Sequence, residues 1–310
     1  MNTAPSPLPA IGEGKKQLIV FDFDCLSAFN NVVLASKKIA DALADEQAEE
    51  HVTDSDSSNT PSPPRFITAH VQPYRSLVDQ DTDRYVHECL NPSLRAELQR
   101  RKSSEQFTDL CSDLLIKLHA QGATPDDIKT CLQTLPFHPG VKRGVVNLKM
   151  AGQTTFFLLS NSNTIYIDTI LRHHKLESLF DQIVTNPAHF SQQGALILQR
   201  RIPATEEKQH GCKVGCSANM CKGQELEAFL ERNGGRNSFE RIIYVGDGGN
   251  DYCPVLRLNK NDLAFVRKFR GLQTRIHKQG NVKAAIKYWN GAWELEGYLN
   301  ELRGQPALEY

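Results

Sequence analysis

QLIVFDFD, residues Gln17 to Asp24, is the stretch on which the reading of this chain turns. Leu18, Ile19, Val20 and Phe21 form an apolar run with β-branched members, too short for a free-standing helix, and it stops at two carboxylates separated by one residue. The pattern is that of a buried parallel strand ending in acid. A buried carboxylate is costly unless something pairs with it, so Asp22 and Asp24 either reach solvent at the strand end or face a cation. Open α/β sheets also bind their ligands at the carboxyl ends of their strands. Taken alone, these residues read equally well as a strand followed by a polar turn.

Working outward, Val32, Val33, Leu34, Ile39 and Leu43 recur at helical spacing, so a helix is expected to leave the strand end. From Gln47 to Pro64 the chain is acidic and rich in Ser and Pro with almost nothing to bury, which reads as a mobile loop. Helical patterns return over RYVHECLNPSLRAELQRRK and EQFTDLCSDLLIKLHAQG, and a third helix is expected where Thr124 can cap and Pro125 takes the first turn. Residues 29–135 are thus expected to be an all-α cap with a disordered loop at about 47–64. Alternation begins after it. Helices are expected at Pro139 to Met150, Ile165 to Arg172, Lys222 to Arg232 and Ala292 to Leu302. Strands are expected at Thr154 to Ser160, Gln182 to Thr185, Ala195 to Gln199, Arg241 to Val245, Leu263 to Val266 and Val282 to Tyr288. This is the order of an α/β fold: a doubly wound, mostly parallel, Rossmann-like sheet, its core over 17–28 and 136–310 and the cap inserted after the first strand.

Lys plus Arg and Asp plus Glu number 36 each in 310 residues, so the overall charge argues for neither a nucleic-acid nor a membrane partner. The basic stretch from Arg267 to Lys287 is interrupted by apolar residues and reads as a solvated helix face and a strand edge. Residues 1–16 lack the basic flank and apolar core of a signal peptide and read as a disordered leader, and no run is long enough to span a bilayer. Eight cysteines are read as free thiols in a reducing cytoplasm, Cys253 among those that simply fill space.

Parallel strands deliver their last residues to one edge, where Asp22 and Asp24, Ser160, and Asp247 with Asp251 should converge. Four carboxylates in one place need a cation, and oxygen ligands suit Mg2+. Gly246, Gly248 and Gly249 allow a tight backbone at GDGGND, although that segment alone also reads as an ordinary turn.

Together, VFDFD, LLSNSNT, VTNPA, HGC followed by CSANMCKG, and YVGDGGNDYCP resemble the haloacid-dehalogenase-like phosphohydrolases, and more closely their phospho-type phosphatases. That group contains phosphoethanolamine/phosphocholine phosphatase and pyridoxal-phosphate phosphatase. The resemblance implies a Mg2+-dependent phosphatase of a small phosphomonoester. In it Asp22 is the nucleophile that becomes an aspartyl-phosphate, Asp24 the acid and then the base, and Ser160 and Lys222 hold the phosphoryl group. It places the metal on Asp22, Asp24 and Asp247, with Asp251 close by or on Lys222, and the substrate near Asn161, Phe29 and Gly248. Mg2+ on one carboxylate keeps it nucleophilic while its neighbour can hold a proton, so the pair divides the work.

The chain departs from the family pattern at Leu26, Phe29, Val33 and Asn161. No acid remains in Ser27 to Val33 to attract a cationic head group, so neutral or aromatic phosphomonoesters are expected to be preferred, with Phe29 able to stack on a ring. Alternatively an acid of the helical insert, Asp79, Asp81 or Asp83, takes over that role. The same departures admit a catalytically silent relative that binds a phosphorylated metabolite or a protein. His210, Cys212, Cys216 and Cys221 carry the ligand types of a structural Cys3His zinc site and read also as free thiols lining a loop.

Overall fold

The apolar run before Asp22 is a strand, β1 (Gln17–Phe21), whose Leu18, Ile19, Val20 and Phe21 are all fully buried. Alternation sends Ile19 and Phe21 into the core on one face of the sheet and Leu18 and Val20 into the core on the other. A strand covered on both faces needs an unbroken apolar sequence, which is why it lacks the polar alternation of a half-exposed one. The same division recurs in β2 (Thr154–Asn163), β6 (Arg241–Gly246) and β7 (Leu263–Arg267). With β3 (Gln182–Asn186) and β8 (Ala285–Trp289) they make a six-stranded sheet in the order β3-β2-β1-β6-β7-β8, every pairing parallel. The chain moves from β1 to one side for β2 and to the other for β6, so their carboxyl ends open the crevice at which such sheets bind ligands.

This computed structural model describes residues 11–12, 14–23, 81–135 and 137–304. Residues 1–10, the helix expected over Val32 to Leu43 and the stretch 47–64 lie outside the described residues, as do Asp24, Phe29 and Asp79.

Residues 81–135 carry only helices: α1 (Thr82–Leu90), α2 (Pro92–Arg101), α3 (Phe107–Ala120) and α4 (Pro125–Gln133). The pattern from Arg84 to Lys102 is therefore two helices. Pro92 has no N–H to continue α1 and holds Asn91 extended, and the Asn91 Oδ1 accepts from Ser93 and Leu94 to cap α2. Thr124 caps α4 as expected, its hydroxyl accepting from the Asp127 N–H while the Asp127 carboxylate accepts from the Thr124 N–H. Leu94, Leu98, Leu110, Leu114 and Leu118 of these helices join the core that contains Ile19 and Phe21. The described helices and the sheet belong to one compact unit.

The rest follows the expected alternation with α5 (Pro139–Met150), α6 (Thr164–His173), α7 (Lys222–Arg232), α8 (Tyr252–Val255), α9 (Gly271–Gln279) and α10 (Ala292–Glu301). One strand departs from it. Leu196–Leu198, β5, does not join the parallel sheet but pairs antiparallel with β4 (Ala188–Phe190), which the sequence reading missed. Gly194, at φ 91°, lets the chain reverse, and Ser191 donates to the Ala195 carbonyl at 2.8 Å. The strand expected from Val282 begins at Ala285.

Candidate active site

Asp22 follows β1 directly, and its N–H still donates to the Val245 carbonyl of β6 at 2.9 Å, so the sheet ladder sets its position. Its side chain is 7% exposed, and its Oδ2 lies 2.9 Å from the Nζ of Lys222. Lys222 opens α7, is almost wholly buried, and places the same Nζ 2.8 Å from the Asp251 Oδ1. Asp251 has no exposed surface. Its Oδ1 also accepts from the Tyr244 hydroxyl at 2.7 Å, and its Oδ2 from the N–H groups of Asp247 and Gly248 at 3.1 and 2.9 Å. Gly246 is required here, because a β-carbon would stand 2.7 Å from that Oδ2.

One carboxylate oxygen from each of Asp22, Asp247 and Asp251 lies within 4.8 Å of the others. Burial, and then the nearness of Asp251, pushes the Asp22 carboxyl well above the usual range, with Lys222 opposing. Burial pulls the Lys222 ammonium down, but Asp22 and Asp251 outweigh it and hold it above its ordinary value. Two of the three carboxylates share that ammonium, and the Arg267 guanidinium lies 3.9 Å from the third, Asp247. Negative charge is left in excess, and a divalent cation is the group that would balance it. Asp251 has spent both oxygens on protein donors, so Asp22 and Asp247 are the carboxylates that would meet an ion directly.

Ser160 is fully buried on β2, two positions beyond the register partner of Phe21, and its Oγ accepts from the Ser162 N–H. Asn161 accepts from the Asn250 amide at 2.9 Å, which ties the β2 end to the Asp247 to Asp251 loop. Gly248, expected to meet substrate, donates its N–H to the Asp251 Oδ2 at 2.9 Å. Asp24 and Phe29 lie outside the described residues. Asp81 caps α1 and pairs with Arg84, and Asp83 is buried inside the helical layer.

Several side chains here escaped the sequence reading. Asn186 and Asn219 form a buried amide pair at 2.8 Å; Asn186 donates to the Asn161 carbonyl, and Asn219 donates to Thr108 of α3. Both lie within the quoted motifs VTNPA and CSANMCKG, the signal that could have found them. Asn219 adopts φ 100°, a conformation that Asn tolerates better than most residues. Arg267 and Arg275 were read as solvated, yet Arg267 is buried and Arg275 donates to the Gly249 carbonyl at 2.9 Å. A cavity of about 420 Å3 opens beside Lys222, lined among others by Lys102, Phe107, Asn161, Asn250 and Arg275.

The expected Cys3His set changes at one position. The sulfurs of Cys212, Cys216 and Cys221 gather with that of Cys253, whereas the His210 Nε2 lies 2.8 Å from the Ser217 carbonyl and outside the group. Cys253, which the sequence places beside the acidic motif and among residues that simply fill space, is the fourth member of this group.

Residues 73–303 match the family described as Putative Phosphatase. The chain belongs to this family. "Probable phosphatase phospho2" of Xenopus tropicalis is 30% identical over 232 residues, covering 73% of this chain and 94% of that one. "Pyridoxal phosphate phosphatase PHOSPHO2" of Bos taurus is 28% identical over 73% of this chain and 94% of its own length, and "Inorganic pyrophosphatase 1" of Arabidopsis thaliana 29% over 76% and 80%. Among solved structures, a haloacid-dehalogenase-family hydrolase of Salmonella enterica serovar Typhi superposes with a TM-score of 0.51 at 13% identity, covering 96% of this chain and 72% of that one. A probable phosphoserine phosphatase of Vibrio cholerae gives 0.50 at 14% identity, covering 93% and 65%. These two likenesses show the fold. This member of the Putative Phosphatase family is a haloacid-dehalogenase-like phosphatase, a phosphoric monoester hydrolase. No helix among the described residues is long and apolar enough to cross a membrane.

Proposed function

We propose that the protein is a Mg2+-dependent hydrolase of small phosphomonoesters that carries the phosphoryl group transiently on Asp22. The observation that supports this most directly is the buried Asp22, Lys222 and Asp251 arrangement, with the ammonium 2.9 and 2.8 Å from its two carboxylates and Asp247 alongside. Asp22 and Asp247, with the carbonyl of Asp24, would hold the ion, and Asp251 would support them from behind through Lys222. When bound, Mg2+ neutralises phosphoryl charge and keeps the Asp22 carboxylate ionised.

In the first step an Asp22 oxygen attacks phosphorus, the bond to the leaving oxygen breaks, and Asp24 gives that oxygen a proton. In the second, Asp24 takes a proton from water as the water oxygen attacks phosphorus, which releases phosphate and regenerates Asp22. Lys222, Ser160 and the Asn161 region supply fixed donors to the phosphoryl oxygens throughout. The kinship with phosphatases favours this reading over the silent relative. Seven free cysteines among the described residues suit a reducing compartment, and we place the enzyme in the cytoplasm. Acid quenching during turnover, followed by peptide mapping, should find the phosphoryl group on the peptide carrying Asp22. Label on another residue, or phosphate release unaffected by removing Mg2+, would overturn the assignment.

The cavity beside Lys222 points to the leaving group. Its described lining offers Lys102 and Arg275 as cations and Phe107 as an aromatic face, and its acid, Glu105, is held by Arg101 at 2.6 Å. Such a lining disfavours choline- or ethanolamine-like head groups and suits neutral, aromatic or anionic ones. Pyridoxal phosphate should therefore show a kcat/KM at least about tenfold above that of phosphocholine, a difference of about 1.4 kcal/mol in transition-state binding. A preference for phosphocholine would show that an acid outside this lining recruits the cation.

A further inference from the structure

Four of the chain's thiols meet at one point, although they come from three separate pieces of backbone. Cys212 and Cys216 stand at either end of a short loop, Cys221 is the N-cap residue just before α7, and Cys253 sits in α8. The Cys212 sulfur lies 3.6 Å from that of Cys216 and 3.5 Å from that of Cys253, and the Cys221 and Cys253 sulfurs are 3.5 Å apart. All four fall within 4.8 Å of one another. A disulfide needs about 2.05 Å. A tetrahedral zinc with sulfur at about 2.3 Å separates its ligands by about 3.8 Å, close to the spacing seen here.

We propose that Cys212, Cys216, Cys221 and Cys253 form a closed tetrathiolate site for Zn2+, and that the ion clips the start of α7 to the segment following Asp251. The loop between the first two ligands is shaped for the task. Gly215, at φ 88°, turns the chain back so that Cys216 returns to Cys212, and the Val214 N–H donates to the Cys212 sulfur at 3.4 Å, an interaction that favours thiolate. Arg275 donates to the Val214 carbonyl from the same loop and to Gly249 on the acidic loop, bringing positive charge to a site that would carry net negative charge. Gly223 is excluded from bearing a side chain by the same packing, since a β-carbon there would stand 2.6 Å from the Cys253 sulfur.

Four sulfurs fill all four positions of a tetrahedron and leave none for substrate, so this site is structural, separate in place and in ligand chemistry from the carboxylates that suit Mg2+. Its position gives it a use. Cys221 is the residue before Lys222, and Cys253 stands two residues after Asp251. One ion would thus join the two backbone segments whose side chains meet as the 2.8 Å ion pair behind the nucleophile. Metal binding of this kind adds directly to folding stability, because the unfolded chain offers no preformed site.

The test is metal analysis of the full-length protein purified without chelator. About one zinc per chain is expected, released when a mercurial blocks the thiols, and Co2+ substitution should give the intense thiolate-to-metal charge-transfer bands of a tetrahedral sulfur site. Cys253→Ser should lose the zinc and His210→Ala should retain it. Should Cys253→Ser fail to fold, the His210→Ala stoichiometry and the cobalt spectrum still decide the ligand set. Metal-free protein in which all four of these cysteines are titratable thiols, two disulfides among them by mass spectrometry, iron in place of zinc, or zinc lost on His210→Ala would each overturn the proposal.

Discussion

Two acids, Asp251 at the sheet edge and Asp83 in the helical layer, are both buried, at 0% and 5% exposure, and the protein treats them in opposite ways. Asp251 receives an ammonium, a phenol hydroxyl and two backbone N–H groups. Asp83 leaves its Oδ1 without a partner, and burial, reinforced by Asp81, lifts its carboxyl well above the ordinary range. Around it the Tyr166 hydroxyl and the His87 Nε2 are also unpartnered, while the other ring nitrogen of His87 lies 2.7 Å from the Asp83 carbonyl. The lesson is one of purpose. A buried carboxylate surrounded by donors keeps its charge compensated, whereas one with few donors is pushed toward its neutral form. The first arrangement also fixes Asp22, through Lys222, against the end of the sheet.

The comparison breaks most visibly at the nucleophile. Asp22→Asn keeps the shape of the site but removes the attacking oxygen's charge, so kcat should fall by at least about 10^3-fold while thermal stability is retained or rises. An active Asp22→Asn enzyme would remove Asp22 from the chemistry. Lys222→Met comes next. It leaves the buried carboxylates without their shared cation, and denaturant titration should register a loss of about 3 kcal/mol together with the loss of turnover. If stability is unchanged, the acids are neutralised by something other than this lysine.

Asp83→Asn sharpens the contrast from the other side. Replacing an acid whose carboxyl burial holds well above the ordinary range with an amide of the same shape should cost about 1 kcal/mol or less and leave kcat intact. A loss as large as that of Lys222→Met would mean that Asp83 is ionised and paired. The smallest effect lies with His87, whose imidazole pKa is lowered by burial in the helical layer. Its folded value is depressed, so its contribution to stability is present above the unfolded value of about 6.5 and is lost as pH falls from there toward the folded value. The wild type should thus lose stability through that window more steeply than His87→Gln, as measured by urea midpoints at several pH values. Equal slopes would show that His87 does not titrate between the two states.

Much of the fold was legible in local pattern. The runs LIVF, TFFLL, IIYV and LAFV are unbroken and apolar because each strand is covered on both faces, and the acidic or hydroxyl residues that follow the first three mark the candidate site's edge. Thr124 with Pro125 announced a helix start, and the alternation after Pro139 announced the parallel sheet. Asp22, Lys222, Asp247 and Asp251 could be named in advance because family motifs mark residues whose chemistry is fixed by type and spacing.

What the sequence by itself determined were the features set by neighbours along the chain: strands, helix starts, and which acids stand at strand ends. The tertiary structure alone decided the partnerships. Leu196–Leu198 looked like another parallel strand, and only the turn at Gly194 and its pairing with Ala188–Phe190 placed it outside the main sheet. Lys222 was marked by its motif, but its two ion-pair partners were fixed only when the fold enclosed it between Asp22 and Asp251. Cys253, 41 residues from Cys212, became the fourth sulfur in place of the nearer His210, because folding a helix start and an acidic loop together brings sulfurs into contact irrespective of their separation in sequence. Local pattern reports the conformational preferences of adjacent residues, whereas charge pairing and metal geometry depend on distances of a few ångströms that only the closed fold sets.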